Sequence, residues 1–421
     1  MLVIYTPKVT NRIKYACDFV FQEYFGIAYS LVETLPKDDA LPFFFINYSN
    51  EQLEAPFSIF QHSLLIEDII QTIQIDVSRE SDFSVFFTAS ENIHTINFDI
   101  FSAIFYLVTR YEEYLSDDLD IHGRYKSTNS ILAHPAFSFA PIVEVWLDYL
   151  KNALLRVFPT LQFKAHQTTC LFTFDVDHPF RYKGRNWIKH LPNFTKWNAW
   201  KTLLIGYKDE LDIFDELSIL LQQHNIPSIF FFLLNDDGPN NSNVSPLSNA
   251  YSALINRIAT QHTISIHPSY NVHFEQELYQ EKSLLERYTN QRIYHARQHF
   301  LRLQFPTTYR TLIANAISQD YTLCYPDVPG FRAGFSRAFY FFDLEKNQST
   351  SLLIQPSCWM DATFEYYQTK TTDEIKFEFS KVYNQVKKIN GNFVPIFHND
   401  LLVQPAHRAI FDYILQQLKS K

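Results

Sequence analysis

Two aspartates stand at the end of an apolar stretch near the middle of the chain. The segment LFTFDVDHPF covers residues 171–180 and contains Asp175 and Asp177, separated by one residue. Because side chains alternate between the faces of a strand, both carboxylates are expected to point the same way, with Cα atoms about 6.6 Å apart. Two such carboxylates in an apolar setting repel each other unless a cation or a basic side chain lies between them. The alternative is a pair of exposed turn aspartates that cap the next helix.

Candidate counter-charges end later apolar segments. His267 closes TISIH just before a proline, and His398 closes NFVPIFH. In RIYHARQHFLRL, the period of two of a strand places His295, Arg297 and His299 on one face. A lone histidine is more often a core residue than a ligand. A functional role for these residues is favoured by the position that they share at predicted strand ends.

Strands and helices are predicted to alternate from residue 170 onward. The predicted strands are LFTFDVD, SIFFFLL, HTISIHP, RIYHARQHFLRL and NFVPIFHND, and the predicted helices are DELDIFDELSILLQQHNIP, FEQELYQEKSLLERYT and TTYRTLIANAISQ. This alternation predicts an α/β fold of parallel β-α-β units, as a barrel or a doubly wound sheet. In either architecture, the side chains that do chemistry gather at the carboxyl ends of the strands.

The first 150 or so residues differ from the rest of the chain. The segment FDIFSAIFYLVTRYEEYL has helical spacing of apolar residues, with Asp99 as a candidate cap. The charged segment at 110–130 is expected on a solvated face rather than in a catalytic site. Residues 156–169 are a plausible join. We therefore predict a smaller α+β or α/β domain of unknown function over 1–160 and a catalytic domain over 165–421.

Composition excludes several classes of protein. The hydrophobic fraction of 46% argues for a globular chain, and the net charge of −9 without a dense Lys/Arg run argues against a nucleic-acid partner. The four cysteines form no CxxC pair, which favours a reducing compartment. No signal-peptide pattern and no uncharged apolar run of about 20 residues is present, so we expect a soluble, cytoplasmic protein without a transmembrane segment. The oligomeric state stays open.

The order of the segments TFDVDHP, IHPSY, RQHFLR, PGFRAGF and FHND resembles the polysaccharide deacetylase superfamily. The likeness is to the branch of carbohydrate esterase family four whose first motif is Asp-x-Asp, and it covers about residues 165–421. It implies a distorted (β/α) barrel that holds one divalent metal ion and hydrolyses an N-acetyl or O-acetyl group on a sugar. The N-terminal domain looks like an accessory domain and implies no function.

The resemblance also implies roles for individual residues. Asp175 resembles the catalytic base, and Asp177 and His267 resemble metal ligands. Arg297 resembles the arginine that orients the base, and His398 resembles the late histidine that acts as the acid. One carboxylate and two imidazoles would leave coordination positions open, as in hydrolytic metal sites. Zn²⁺ suits such ligands, although Co²⁺, Fe²⁺ or Ni²⁺ would also fit.

The chain departs from the family pattern at the second metal histidine. The family places it about four residues after the first, where this chain has Asn271. His273 and His299 are the available substitutes. We favour His299 because strand alternation would aim it at the site together with Arg297.

Four further residues are weaker candidates for substrate binding. Arg332 lies in PGFRAGF between two of the chain's 8 glycines, which would let the backbone approach a substrate closely or form a tight turn. Asp327 and Asp361 are candidates to tune His398 or to bind substrate hydroxyls. Trp359 would stack on a sugar ring, with burial in the core as the alternative.

Three functions are consistent with these residues. The first is a metal-dependent deacetylase acting on an acetylated saccharide, glycan precursor or intracellular glycoconjugate, with Asp175 as base and His398 as acid. The second is a non-catalytic relative that binds carbohydrate, suggested by Asn271. The third is a metal-independent glycosidase that uses Asp175 and another acid. A covalent acyl-enzyme has little support, since the chain contains no G-x-S-x-G segment.

Overall fold

The N-terminal part of the chain contains a small parallel sheet. The computed structural model describes residues 1–35, 43–185, 201–202, 207–235, 238, 240–241, 244–272 and 275–419. The four strands of this sheet are β1 (Leu2–Tyr5), β2 (Tyr29–Val32), β3 (Phe45–Tyr48) and β4 (Phe57–Ile59), in the order β2-β1-β3-β4. Helix α1 (Asn11–Cys17) continues into a π-helix (Asp18–Tyr24) between β1 and β2.

A hairpin and two longer helices complete the N-terminal part. They are β5 (Ser78–Glu80), β6 (Phe83–Val85), α2 (Ile100–Val108) and α3 (Ile142–Val157). The predicted cap of α2 is confirmed, because the carboxylate of Asp99 accepts a hydrogen bond of 2.9 Å from the backbone N–H of Ser102. The helix is shorter than predicted. Arg110 has a left-handed φ of 56°, which ends the α-helix before a 3₁₀ turn at Tyr111–Tyr114.

The remainder of the chain is built on a nine-stranded sheet, ordered β13-β14-β12-β11-β10-β9-β8-β17-β15. Its strands are β8 (Phe172–Val176), β9 (Ser228–Phe232), β10 (Thr263–Ile266), β11 (His295–Ala296), β12 (Gln319–Asp320), β13 (Phe339–Asp343), β14 (Gln348–Ile354), β15 (Trp359–Met360) and β17 (Pro395–His398). Only the β13 and β14 pairing is antiparallel. Strands β7 (Thr169–Cys170) and β16 (Asn392–Phe393) form a separate parallel pair.

Helices connect the parallel strands. They are α4 (Phe214–Gln223), α5 (Asn249–Ala259), α6 (Glu275–Thr289), α7 (Thr307–Ala314), α8 (Ala362–Tyr366), α9 (Thr372–Lys388) and α10 (Pro405–Lys419). The α/β fold predicted from the alternating pattern is therefore confirmed. Within the described part of the chain, β13 and β15 are the sheet edges and no strand pairing joins them. Closure into a distorted barrel stays a prediction.

The segment RIYHARQHFLRL is not one long strand, which corrects the prediction. Strand β11 contains only His295 and Ala296, and a 3₁₀ turn follows at His299–Leu301. Phe300 and Leu301 have φ values of 59° and 53°, a left-handed conformation that no strand can contain. The chain therefore leaves the sheet directly before the residues that were expected to face the site.

The glycines of PGFRAGF bring this segment against the N-terminal part, not against a ligand. A Cβ atom on Gly330 would lie 2.5 Å from the Cβ of Phe139, and one on Gly334 would lie 3.2 Å from side-chain atoms of Leu107 and Ile142. Both glycines have positive φ, 126° and 61°. The close approach predicted from them is real, but its partner is the N-terminal part of the same chain.

The two parts of the chain share one core. A single cluster of buried apolar side chains extends from Leu2 to Leu415 and includes residues of both parts. Residues 158–168 connect α3 to β7 without helix or strand, in the region predicted as a join. No helix in the described ranges is long and apolar enough to cross a lipid bilayer.

Candidate active site

The parallel strands bring the predicted site residues to one edge of the sheet. Asp175 lies near the end of β8 and is in register with His398, the last residue of β17. His267 follows the last residue of β10, and Arg297 follows the last residue of β11. These positions are the carboxyl ends of neighbouring parallel strands, where α/β proteins bind ligands. The sheet order thus assembles residues that are more than 200 positions apart.

Asp177, His267 and His299 form a cluster that could hold a metal ion. One donor atom from each lies within 4.8 Å of the others. Asp177 Oδ1 is 3.3 Å from His267 Nε2 and 3.5 Å from His299 Nδ1, and the two ring nitrogens are 3.1 Å apart. Asp177 Oδ1 is buried and accepts no hydrogen bond from the described part of the chain. A buried carboxylate oxygen facing two ring nitrogens is the donor set expected of a hydrolytic metal site.

The second ring nitrogen of each histidine fixes which nitrogen faces the cluster. His267 Nδ1 lies 2.5 Å from the backbone carbonyl of Arg297, and His299 Nε2 lies 2.7 Å from the carbonyl of Asn240. A carbonyl oxygen only accepts hydrogen bonds, so each of these nitrogens carries the proton. The opposite nitrogens, His267 Nε2 and His299 Nδ1, are therefore free of protons in the neutral rings and available as ligands.

Burial and charge shift the pKa values of these groups in different directions. For Asp177, the raising effect of burial is outweighed by the two histidines, which hold its pKa well below its usual range. For His299, burial lowers the pKa to about 4, with only partial compensation from Asp177. Burial also opposes the charged form of His267, but Asp175 and Asp177 together raise its pKa. At neutral pH, Asp177 is ionised and His299 is neutral, which are the states that bind metals.

Asp175 is held next to this cluster by Arg297. The Arg297 guanidinium is fully buried and donates to Asp175 Oδ1 at 2.8 Å and to Thr173 Oγ1 at 2.8 Å. It also lies 4.5 Å from the centre of the Phe231 ring. Asp175 Oδ2 is 3.7 Å from His267 Nε2. One oxygen of the carboxylate is thus fixed by the arginine, and the other faces the cluster.

His398 is oriented on the other side of Asp175. Its Nδ1 lies 2.6 Å from Asp361 Oδ1, and its backbone N–H donates to Asp361 Oδ2 at 2.8 Å. Burial lowers the pKa of His398, but Asp361 and the other nearby carboxylates outweigh it and raise this pKa to about 10. His398 Nε2 lies 3.9 Å from Asp175 Oδ2. A protonated ring nitrogen therefore faces the same space as the carboxylate.

These residues line a pocket of about 500 Å³. Besides Asp175, Asp177, His267, His299 and His398, its lining includes the polar side chains of His122, Arg124, His178, Asn240, Asn241 and Asp400 and the aromatic side chains of Phe300, Tyr366 and Tyr367. Tyr366 is 67% exposed and Tyr367 is 40% exposed. A pocket with charged groups at its base and exposed aromatic rings at its wall is typical of sites for small polar ligands.

Comparisons with known proteins match the two parts of the chain separately. Residues 2–159 match a family model described as "Family of unknown function (DUF7033)". No curated protein matches the chain. Several solved structures match about three fifths of it, and three of those are described as polysaccharide deacetylases. The resemblance stated from the sequence is found again here.

The sequence identities and TM-scores of these structures are low. A polysaccharide deacetylase from Mycobacterium smegmatis is 17% identical, covers 61% of this chain and 86% of its own, and has a TM-score of 0.41. One from Pseudomonas aeruginosa PAO1 is 12% identical, covers 61% and 86%, and has a TM-score of 0.43. An allantoinase is 12% identical, covers 61% and 85%, and has a TM-score of 0.41. Another match is titled as a pseudoenzyme from Bacillus anthracis. At such TM-scores, the activity of this chain has to be argued from its own side chains.

Two residues predicted to touch a substrate are instead in the interior. Arg332 is fully buried, and its guanidinium contacts Glu113 at 2.5 and 2.9 Å and donates to the carbonyl of Cys324 at 3.1 Å. Trp359 is also fully buried and packs 4.7 Å from the ring of Phe364. Neither side chain lines the pocket. Their predicted roles in substrate contact are wrong because their polar and apolar surfaces are already covered by the protein.

The remaining candidates have separate outcomes. Asp361 lies where one alternative placed it, beside His398. Asp327 accepts a hydrogen bond of 2.5 Å from Ser127 Oγ and does not line the pocket. Asn271 is exposed and lies outside the group of side chains that could hold a metal ion, whose third member is His299. His273 lies outside the described residues.

The charged segment 110–130 is only in part on a solvated face: Asp117 and Asp118 are exposed as predicted, but other charged residues are buried, which corrects the prediction for them. Arg110, Glu112 and Arg124 are all buried. Arg110 contacts Glu112 and Glu113 at 2.7 Å each. The contribution of this segment to the pocket was not predicted, because the spacing of its apolar and charged residues shows no helical or strand period. The repeated pairing of arginines with acids was the available signal.

Proposed function

We propose that this chain is a metal-dependent hydrolase that removes an acetyl group from an acetylated sugar. The observation that carries the proposal is the convergence of Asp177, His267 and His299 beside two oriented proton-transfer groups. Those groups are Asp175, held by Arg297, and His398, held by Asp361. A structural metal site has no open coordination position and needs no base or acid beside it, whereas a hydrolytic site needs both.

The donor set supports a divalent cation, with Zn²⁺ as the first expectation. Asp177 Oδ1, His267 Nε2 and His299 Nδ1 would hold it, and Asp177 Oδ1 accepts no hydrogen bond from any residue that the structure describes. Two imidazoles and one carboxylate also accept Co²⁺, Fe²⁺ or Ni²⁺. When bound, the cation would make water more acidic and polarise the acetyl carbonyl.

Asp175 is proposed as the general base. Its Oδ1 is fixed by Arg297, so Oδ2 is the oxygen available to accept a proton from water. Both side chains are buried, so bulk solvent is excluded from the pair and the guanidinium balances the carboxylate charge. Arg297 acts through Asp175 and is a positioning residue.

His398 is proposed as the general acid. Its Nδ1–H donates to Asp361, so Nε2 carries the proton that the reaction can use. That nitrogen faces the space beside Asp175 Oδ2, where a departing amine or hydroxyl would lie. The amide or ester bond breaks as the leaving group takes this proton, and no covalent bond to the protein is required.

The pocket supports a saccharide as the carrier of the acetyl group. Tyr366 and Tyr367 present exposed rings at its wall, and His178 and Asp400 add polar groups. Aromatic rings beside hydrogen-bonding groups suit a sugar, which has an apolar face and a polar edge. We accordingly propose an N-acetylated saccharide or glycoconjugate, with an O-acetylated one as the second choice.

Acetate release tests the proposal. The purified chain is incubated with a panel of N-acetylated and O-acetylated saccharides, with and without a chelator, and metal content is measured in parallel. Asp175→Asn should lose acetate release and keep the metal, whereas His299→Ala should lose both. His295→Ala is the matched control, because His295 lies on a separate recess lined by Thr263 and Arg292.

The alternative functions give different results in the same assay. A chain that binds metal and saccharide but releases no acetate would be a non-catalytic carbohydrate-binding relative. Release of reducing sugar that a chelator does not inhibit would indicate a glycosidase. Retained metal in His299→Ala would contradict the proposed ligand set.

A further inference from the structure

A short turn from the N-terminal part reaches the pocket. Residues 119–125, called here the 119–125 turn, are closed by a bridge between Leu119 and Tyr125. Asp120 Oδ1 accepts hydrogen bonds of 2.9 Å from the backbone N–H groups of His122 and Arg124. This capping makes the turn a compact unit with its own internal support.

The turn contacts the segment that carries His299. Arg124 Nη1 donates to the backbone carbonyl of Phe300 at 2.9 Å. Phe300 and the residue after it, Leu301, have left-handed φ values, and neither is a glycine. Such a conformation is unfavourable for these residues and persists only when surrounding contacts hold it. Arg124 supplies one of these contacts directly next to His299.

The turn also contacts the segment that follows His267. His122 Nδ1 lies 3.1 Å from the hydroxyl of Tyr270. Arg302 donates to the carbonyl of His122 at 3.0 Å, bonds the carbonyl of Tyr270, and lies 4.1 Å from the centre of the Tyr270 ring. The loops after β10 and β11, each carrying one of the two histidines, are therefore tied to the same turn.

Arg124 is engaged on several sides. Its Nε donates to Asp120 Oδ2 at 2.7 Å, and its Nη2 donates to the hydroxyl of Tyr367 at 3.1 Å. The residue is only 2% exposed. The guanidinium thus donates to three different protein groups. Such an arginine is suited to holding those groups in place rather than to binding a substrate.

We propose that Arg124 is a positioning residue. It fixes the left-handed turn at Phe300 and Leu301, so that the preceding residue, His299, directs its Nδ1 at Asp177 and His267. The inference rests on the metal site of the proposed function and adds a role for the N-terminal part. On this proposal, the 119–125 turn is a structural component of the metal site, and the site requires residues 1–160 for its geometry.

Metal affinity of the full-length chain tests this inference without using activity. The protein is stripped of metal and titrated with Co²⁺ alone, and binding is followed by its absorption spectrum. Arg124→Ala should bind Co²⁺ about 10- to 100-fold more weakly than the wild type, the usual effect of removing a residue that orients a ligand. Ile121→Ala is the control in the same turn, because Ile121 is 92% exposed and should leave the affinity unchanged.

A second variant covers the case in which Arg124→Ala fails to fold. Arg124→Lys retains the charge and most of the side chain but cannot reproduce the planar fork, so it should fold and still lose Co²⁺ affinity by at least several-fold. Circular dichroism checks folding for every variant. Wild-type affinity in folded Arg124→Ala or Arg124→Lys overturns the inference alone. Failure of the wild type itself to bind Co²⁺ would overturn the proposed function as well, so the two failures are distinguishable.

Discussion

Replacing Arg332 with methionine should destabilise the protein without changing substrate affinity. The Arg332 guanidinium is fully buried and pairs with Glu113, which is 2% exposed at its side chain. Arg110 and Glu112 complete a buried group of two positive and two negative charges. In Arg332→Met, this group keeps one uncompensated negative charge. Removing one partner of a buried ion pair costs about 3–5 kcal/mol in the free energy of unfolding.

Urea unfolding of the full-length chain measures this cost. The double variant Arg332→Met/Glu113→Gln should be less destabilised than the sum of the two single variants, by about 0.5–3 kcal/mol, because the pair is removed together. Arg79→Met is the control, since Arg79 is exposed and such substitutions change stability by less than about 0.5 kcal/mol. The KM for the best acetylated saccharide should stay at the wild-type value in every folded variant.

The opposite pattern would refute the reasoning. If Arg332→Met unfolds at the wild-type urea concentration and raises KM severalfold, Arg332 contacts the substrate and the buried pair contributes no stability. Additive single variants would show that the two side chains do not interact in solution. Either result would restore the sequence-based interpretation of PGFRAGF.

Three further predictions concern stability and substrate contact. Burial raises the pKa of Glu144 from 4.5 to about 7, with partial compensation from Ser336, so the folded state binds this proton more tightly than the unfolded state. Stability should therefore fall by about 3 kcal/mol as pH rises from about 4.5 to about 7, and urea unfolding of Glu144→Gln should lack that part of the pH dependence. Tyr366→Ala should raise KM about two- to tenfold through loss of ring stacking, whereas Trp359→Phe should leave KM unchanged in acetate-release assays; equal KM values would contradict the role of Tyr366. Gly330→Ala should lower the urea midpoint, at a cost of about 1–3 kcal/mol, because the new methyl group would overlap Phe139; a wild-type midpoint would show that the two parts can move apart freely.

The strand-end residues could be predicted because their positions follow from a simple period. Asp175 lies in β8 and Asp177 directly after it, and His267 and His398 lie at the ends of β10 and β17. His299 was selected from an assumed strand, yet it lies beyond the end of β11 and directly before a left-handed turn. The structure places His299 beside Asp177 and His267, but the local structure predicted for it was wrong.

The contributions of the N-terminal part could not be predicted in the same way. Arg124 contacts Phe300, which is 176 positions away, and the pattern around Arg124 repeats with no period. The glycines of PGFRAGF indicated a close approach, but spacing alone does not say which surface approaches. A local pattern predicts the geometry of one element and leaves its distant partner undetermined.

The buried ion group has a consequence for synthesis on the ribosome. Glu113 and Arg332 are separated by 219 positions, so the acid emerges well before its partner. At elongation rates of about 5–20 residues per second, the interval is roughly 10–45 s. During that time the nascent N-terminal part carries two acids, Glu112 and Glu113, against the single arginine Arg110, and an uncovered apolar face at Leu107 and Ile142. Chaperones that shield such surfaces should therefore increase the yield of correctly folded chain.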